Sequence, residues 1–178
     1  SGDILDVNAT VTEFNGKLQL KLEAIVFAPA DIDKREFLPY SPRPAEEMLQ
    51  EVLATIMEFQ DKEIQQLTSE LIGEAGETLK KFPAAKQMHH AEIGGLLHHI
   101  TSMLKLAEGI AANYPELNRD LLLAGVIIHD LGKMQEMERN ELGLVTDYTV
   151  QGKLVGHIVC GAMNIERAGK RIGVSDNT

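Results

Sequence analysis

His129 and Asp130 close the apolar run Leu121–Ile128. An imidazole and a carboxylate at the end of such a run are expected to be buried, and a buried charge is costly unless something pairs with it. A divalent cation held by both side chains removes that cost. His99 stands thirty positions upstream in a second apolar segment, so a helix hairpin brings it to the same place. On a helical wheel at about 100° per residue, His99 falls in the arc of Leu96, Leu97, Ile100, Met103, Leu104, Leu106, Ala107 and Ile110. His98 falls in the opposite arc with Gly94, Thr101, Ser102 and Lys105. The pattern turns His99 inward and His98 to solvent.

Each of these residues also has a plainer account. A lone inward histidine is satisfied by a backbone carbonyl more often than by a metal. His129 near the negative pole of a helix is electrostatically favourable, but Asp130 is not, so a helix-end arrangement explains half the pair. His157 lies at the edge of an apolar face between Gly161 and Asn164, either as a further ligand or as a boundary histidine. A solvated pair at a helix start accounts for His89 and His90 more simply than a reach into the same cavity. Lys133 is placed either to neutralise a phosphate at the metal or to sit on the surface. An imidazole–carboxylate set suits zinc, iron or manganese better than calcium. Its chemistry is Lewis-acid activation of water for attack on phosphorus.

The elements that must position these groups are mainly helical. From Pro44 onward Met48, Val52 and Ile56, flanked by Leu49 and Leu53, form one apolar stripe. Further helices are predicted over about 61–81, 92–113, 115–130 and 153–167, with Pro115 in a first turn, Gly132 as a stop, and 138–149 irregular or briefly extended. Before them, Lys17 to Ala24 alternates strictly, with Leu18, Leu20, Leu22 and Ala24 on one face. Asn15-Gly16 is a two-residue turn signal, and Val7, Ala9 and Val11 supply the partner strand. Two strands alone are marginal in water, so this hairpin calls for further strands, another chain or the helices to cover it. Self-association is an expectation on that ground. The organisation read from the chain is a hairpin unit over 1–30, a linker over 31–44 and a helical domain over 45–178.

The 178 residues fit one domain plus an appendage, and 44% hydrophobic residues suffice for a core. No window has the apolar length of a membrane span, and the N-terminus lacks the order of a secretory signal. Cys160 is the single cysteine, which excludes a disulfide framework and suits a reducing cytoplasm. Seventeen basic against twenty-seven acidic side chains leave a net charge of −10. That repels polyanions at long range and argues against a nonspecific nucleic-acid coat. It does not exclude a polyanionic substrate, because a metal dominates its local field. The chain begins Ser1-Gly2 and closes just after a helical pattern, and it reads as a piece of a longer protein.

The order His99 … His129-Asp130 resembles the HD superfamily of helical metal-dependent phosphohydrolases. More narrowly, three segments resemble the YhaM-type 3′→5′ exoribonucleases: His89-His90-Ala-Glu-Ile-Gly-Gly-Leu-Leu-His98-His99, Ile-Ile-His129-Asp130-Leu-Gly-Lys133, and Gly-Lys-Leu-Val-Gly-His157-Ile. The resemblance implies an HD-domain helical bundle preceded by the last part of an OB-fold. It implies His99, His129 and Asp130 as metal ligands, His157 at or near a second metal, and Lys133 with Asp130 at the scissile phosphate. The implied cofactor is a divalent metal, manganese first, with Fe2+, Zn2+, Mg2+ and Co2+ as alternatives. The implied substrate is single-stranded RNA or DNA, cut from the 3′ end to nucleoside monophosphates, with no role for a membrane. The family pattern also has strands before Ser1 and a histidine pair and closing aspartate after Thr178; Asp176 does not stand where that aspartate is expected. Two other readings stay open: an HD-type nucleotide phosphohydrolase and a non-catalytic helical interaction module.

Overall fold

The computed structural model describes residues 3–33, 36–86, 90–140 and 142–175. The chain divides into two compact units, Ser1–Leu38 and Pro39–Thr178. No helix among the described residues is long and apolar enough to cross a membrane.

The first unit is an antiparallel hairpin of β1 (Leu5–Phe14) and β2 (Lys17–Phe27). Asn15 and Gly16 have φ of 52° and 72°, the two left-handed positions that a type I′ turn requires. The strict alternation over Lys17–Ala24 does not carry through. A bulge between Asn8 and Ala9 makes Ala9 oppose Leu22, while Asn8 opposes Ala24. The extra residue in β2 shifts the phase of everything beyond it. Ala24 therefore leaves the face of Leu18, Leu20 and Leu22, and Ile25 and Phe27 join that face opposite Val7 and Leu5.

The second unit is helical. Pro39–Ser41, inside the segment read as a linker, pairs with it: Ile93 N–H donates to the Pro39 carbonyl and Ser41 N–H to the Ile93 carbonyl, both at 2.9 Å. α1 (Ala45–Met57) buries Met48, Val52 and Ile56, as its stripe predicts. α2 (Lys62–Leu79) starts at Asp61, whose carboxylate accepts from the Glu63 and Ile64 N–H groups. α3 (Gly95–Asn113) follows a left-handed Gly94, so it begins after the Glu92 expected from the pattern. α4 (Arg119–Ile128) begins after Pro115, because the Asn118 side chain accepts the Leu121 N–H and sets the cap. α4 ends at Ile128, and Gly132 leads into a short α5 (Lys133–Glu136) rather than ending the run. β3 (Met137–Arg139) and β4 (Val145–Tyr148) form a small hairpin, and α6 (Val150–Ile172) completes the unit. Its core joins Val52, Ile56 and Leu79 to Leu97, Ile100, Leu123, Ile127 and Ala168.

The wheel of α3 is rotated from its predicted setting. Leu106 and Ile110 are exposed, and Thr101 is fully buried. Thr101 tolerates burial because its hydroxyl donates to the Leu97 carbonyl at 3.0 Å. His98 is half-buried rather than solvent-facing, and its Nδ1 lies 3.1 Å from Nδ1 of His90. A wheel ranks faces by hydrophobicity alone. Here α1 and α4 pack on α3 and decide which face is covered.

Candidate metal centre

Two ties hold the α3–α4 hairpin that carries the site. Arg119 grips Glu108 of α3 with its Nε and a terminal nitrogen, at 3.0 and 2.5 Å. Asp120, buried in the first turn of α4, accepts the N–H groups of Gln60 and Asp61 at 2.6 and 2.8 Å. These contacts anchor the start of α4 to the α1–α2 junction and aim its C-terminus at the second turn of α3. His129 follows the last residue of α4 in helical conformation, its N–H bonded to the Gly125 carbonyl.

His99 Nε2, His129 Nε2 and Asp130 Oδ2 converge, with separations of 3.3 Å between the imidazoles and 3.4 and 3.3 Å to the carboxylate. Ligands at zinc-like bond lengths of about 2.0–2.2 Å in a tetrahedron stand roughly 3.3–3.6 Å apart. The three separations therefore match those of ligands around one ion. His129 Nδ1 lies 2.8 Å from the Val126 carbonyl. A carbonyl only accepts, so Nδ1 carries an N–H and Nε2 is the nitrogen free to ligate once its own proton is lost. This tie of the outer ring nitrogen is the usual support of a ligating histidine.

The three groups shift one another's protonation. Burial opposes ionisation of Asp130, but the contacts from His129 and Lys133 outweigh it and hold the carboxyl well below the ordinary aspartate range. Asp130 beside His129 raises the imidazole above its usual value, against burial and with help from the Val126 carbonyl. Burial lowers His99, against the pull of Asp130.

Lys133 is not a free surface lysine: its Nζ lies 2.8 Å from Asp130 Oδ2. His157 stands apart from the triangle and faces the other carboxylate oxygen, with Nε2 at 3.5 Å from Asp130 Oδ1. Asp130 thus presents one oxygen to His99 and His129 and the other to His157. α6 is broken at Gly156, with φ 74° and ψ 168°. The break frees the His157 N–H, which donates to Glu136 Oε1 at 3.1 Å, while His157 Nδ1 lies 3.1 Å from both oxygens of Glu136. A cavity of about 420 Å³ opens beside His129, Asp130 and His157, walled by Ile128, Ile158 and Ile165.

Glu136, at the end of α5, is not marked as a partner of His157 by any pattern in the sequence. His90 is directed to His98 and Glu92, with its ring centroid 5.7 Å from that of His99. His89 and Asp176 lie outside the described residues.

Residues 96–177 match the HD domain family. The helical unit carries an HD domain, and that domain implies a divalent metal. More narrowly, the chain is a homologue of YhaM-type proteins along nearly its whole length. It is 38% identical over 97% of its residues to a protein named 3′-5′ exoribonuclease YhaM from Geobacillus sp. (strain WCH70), covering 53% of that protein. It is 37% identical over 96% to the protein of that name from Bacillus subtilis (strain 168), covering 54% of it. The Halalkalibacterium halodurans protein of that name is 34% identical over 98% of the chain, with 54% of its own length covered. The chain spans about half the length of the curated relatives it matches. No solved structure gives a significant match.

Proposed function

We propose that the full-length protein is a metal-dependent 3′→5′ exoribonuclease that releases nucleoside monophosphates from single-stranded RNA, with single-stranded DNA as a further substrate. The convergence of His99, His129 and Asp130 on one point carries this reading, and the activity in the relatives' names supplies its substrate. His99, His129 and Asp130 hold the first ion, and His157 with the second Asp130 oxygen serves a neighbouring one. Manganese is the proposed metal, for an imidazole–carboxylate set that also suits iron, zinc, magnesium or cobalt. Such an ion supplies Lewis acidity toward water and the scissile phosphate.

The chain's own groups do the rest. Asp130 stays ionised over the working range because His129 and Lys133 stabilise its charge. Lys133 Nζ stands beside the carboxylate, where a phosphate oxygen brought to the ion meets a fixed positive charge. Glu136 fixes the His157 ring so that Nε2 faces Asp130. The hairpin is read as the closing strands of an OB-fold over 1–30, which tracks the single strand. The lone buried Cys160 suits a reducing cytoplasm. The bared apolar face of β1 and β2 suits assembly with further strands or with a second copy.

The test is digestion of a 3′-tailed, labelled oligoribonucleotide by the full-length protein with manganese. Wild type is compared with His129→Ala and Asp130→Ala. Loss of digestion in both variants is expected; equal rates in all three remove the site assignment.

A further inference from the structure

A second set of ligand atoms converges at the start of α3. His90 Nδ1 lies 3.1 Å from His98 Nδ1, and each lies 3.3 Å from Glu92 Oε1. The side chains are between one-fifth and one-quarter exposed. The triangle has nearly the edges of the His99–His129–Asp130 set, close to the roughly 3.3 Å of tetrahedral ligands at zinc-like bond lengths. Hydrogen bonds from both Nδ1–H groups to Glu92 account for two edges and leave the 3.1 Å edge between the imidazoles unexplained. An imidazole N–H points along one line, so no choice of tautomers puts a straight N–H on all three edges.

The backbone is built to hold this arrangement. His90 has φ 60°, a left-handed conformation uncommon for residues with a Cβ, although histidine adopts it more readily than most. Its carbonyl accepts the Ala84 N–H at 2.8 Å and passes so close to Gly95 that a Cβ there would stand 2.0 Å from it. Gly95 N–H donates to the Glu92 carbonyl at 2.9 Å. Gly94, with φ 80°, turns the chain into α3, whose first turn carries His98. Such strain persists only where surrounding contacts enforce it, and it clusters at ligand sites. His90 and Glu92 lie outside residues 96–177, so the HD-domain match does not account for them.

We propose that His90, Glu92 and His98 form a separate site for a zinc-class divalent cation. Three protein ligands hold the ion and solvent takes the remaining positions. The ion staples the segment before α3 to the helix turn that also presents His99. The His90 ring contacts both histidines of that turn, edge-on to His98 at 4.5 Å between centroids and tilted on His99 at 5.7 Å.

The experiment loads the metal-free 178-residue chain with Zn2+ and counts bound ions by elemental analysis after dialysis. Wild type is compared with the double variant His90→Ala/His98→Ala and with Asp130→Asn. The double variant is expected to hold one equivalent fewer than wild type, and Asp130→Asn to keep that equivalent. Histidine 15N spectra of the wild type give a readout free of folding defects: the Nδ1 signals of His90 and His98 move together on adding Zn2+. Unmoved Nδ1 signals at saturating Zn2+ overturn the proposal, as does equal stoichiometry in wild type and a folded double variant. Because neither readout uses nuclease activity, failure here leaves the hydrolase reading standing.

Discussion

Gly132→Ala separates two physical effects by sign. Gly132 has φ −59° and ψ −20°, helical values that alanine prefers. Backbone propensity alone therefore predicts a gain of about 0.4–1 kcal/mol. The packing predicts the reverse. A Cβ at this position would stand 2.1 Å from the His157 carbonyl oxygen and 2.8 Å from the Gly161 N, both backbone atoms of α6. Ordinary contact begins at 3.4 Å, so α6 and the His129–Lys133 turn must separate by about 1 Å. Overpacking of this kind costs about 1–3 kcal/mol, which exceeds the propensity gain. The same shift widens the 3.5 Å between His157 Nε2 and Asp130 Oδ1. A misplacement of about 1 Å in a catalytic constellation lowers rate by roughly 100-fold. Urea unfolding of the chain and RNA digestion by the full-length variant read the two consequences. A variant as stable as wild type, or more stable, refutes the close approach of the Gly132 turn to α6.

Asp120→Ala removes two charge-assisted bonds to the Gln60 and Asp61 N–H groups and should lower stability by about 3 kcal/mol in urea unfolding. Glu136→Gln keeps the size of the side chain but loses the charge behind His157; divalent-metal affinity at that position should drop roughly 10- to 100-fold by calorimetry, with unfolding little changed. His129 is raised from its ordinary value by Asp130 and must be deprotonated to ligate, so metal affinity should weaken as pH falls through its titration and recover as pH rises. Calorimetric titration across that range checks the direction, and affinity that rises toward acid contradicts it.

The juxtaposition of the candidate ligands was legible where chemistry and hydrophobic pattern disagree. His99 interrupts an apolar face and Asp130 ends an apolar run, so each demands a partner: Asp130 meets Lys133, His129 and His99, and His99 meets His129 and Asp130. The hidden parts depend on pairing that a single segment does not express. Ala24 looks like the fourth member of an alternating face, and only the bulge opposite Asn8 and Ala9 moves it off. Pro115 and Asn118 both signal a helix start; the side-chain bond to the Leu121 N–H decides for Asn118. His98 looks solvent-facing because a wheel has no knowledge of Glu92 and His90 folding back across the helix start. Glu136 carries no periodic signal, since its role exists only where α6 is interrupted.

That interruption makes one carboxylate the owner of both the main chain and the ring at position 157. In an unbroken helix the N–H of His157 would be spent on the carbonyl of Lys153, and Glu136 would meet only a freely rotating imidazole. With the break, any movement of the α5–β3 corner drags the peptide and the ring as a unit. The half of the centre on α6 is thus keyed to backbone path instead of rotamer choice, and a straightened helix carrying the same histidine would not reproduce it.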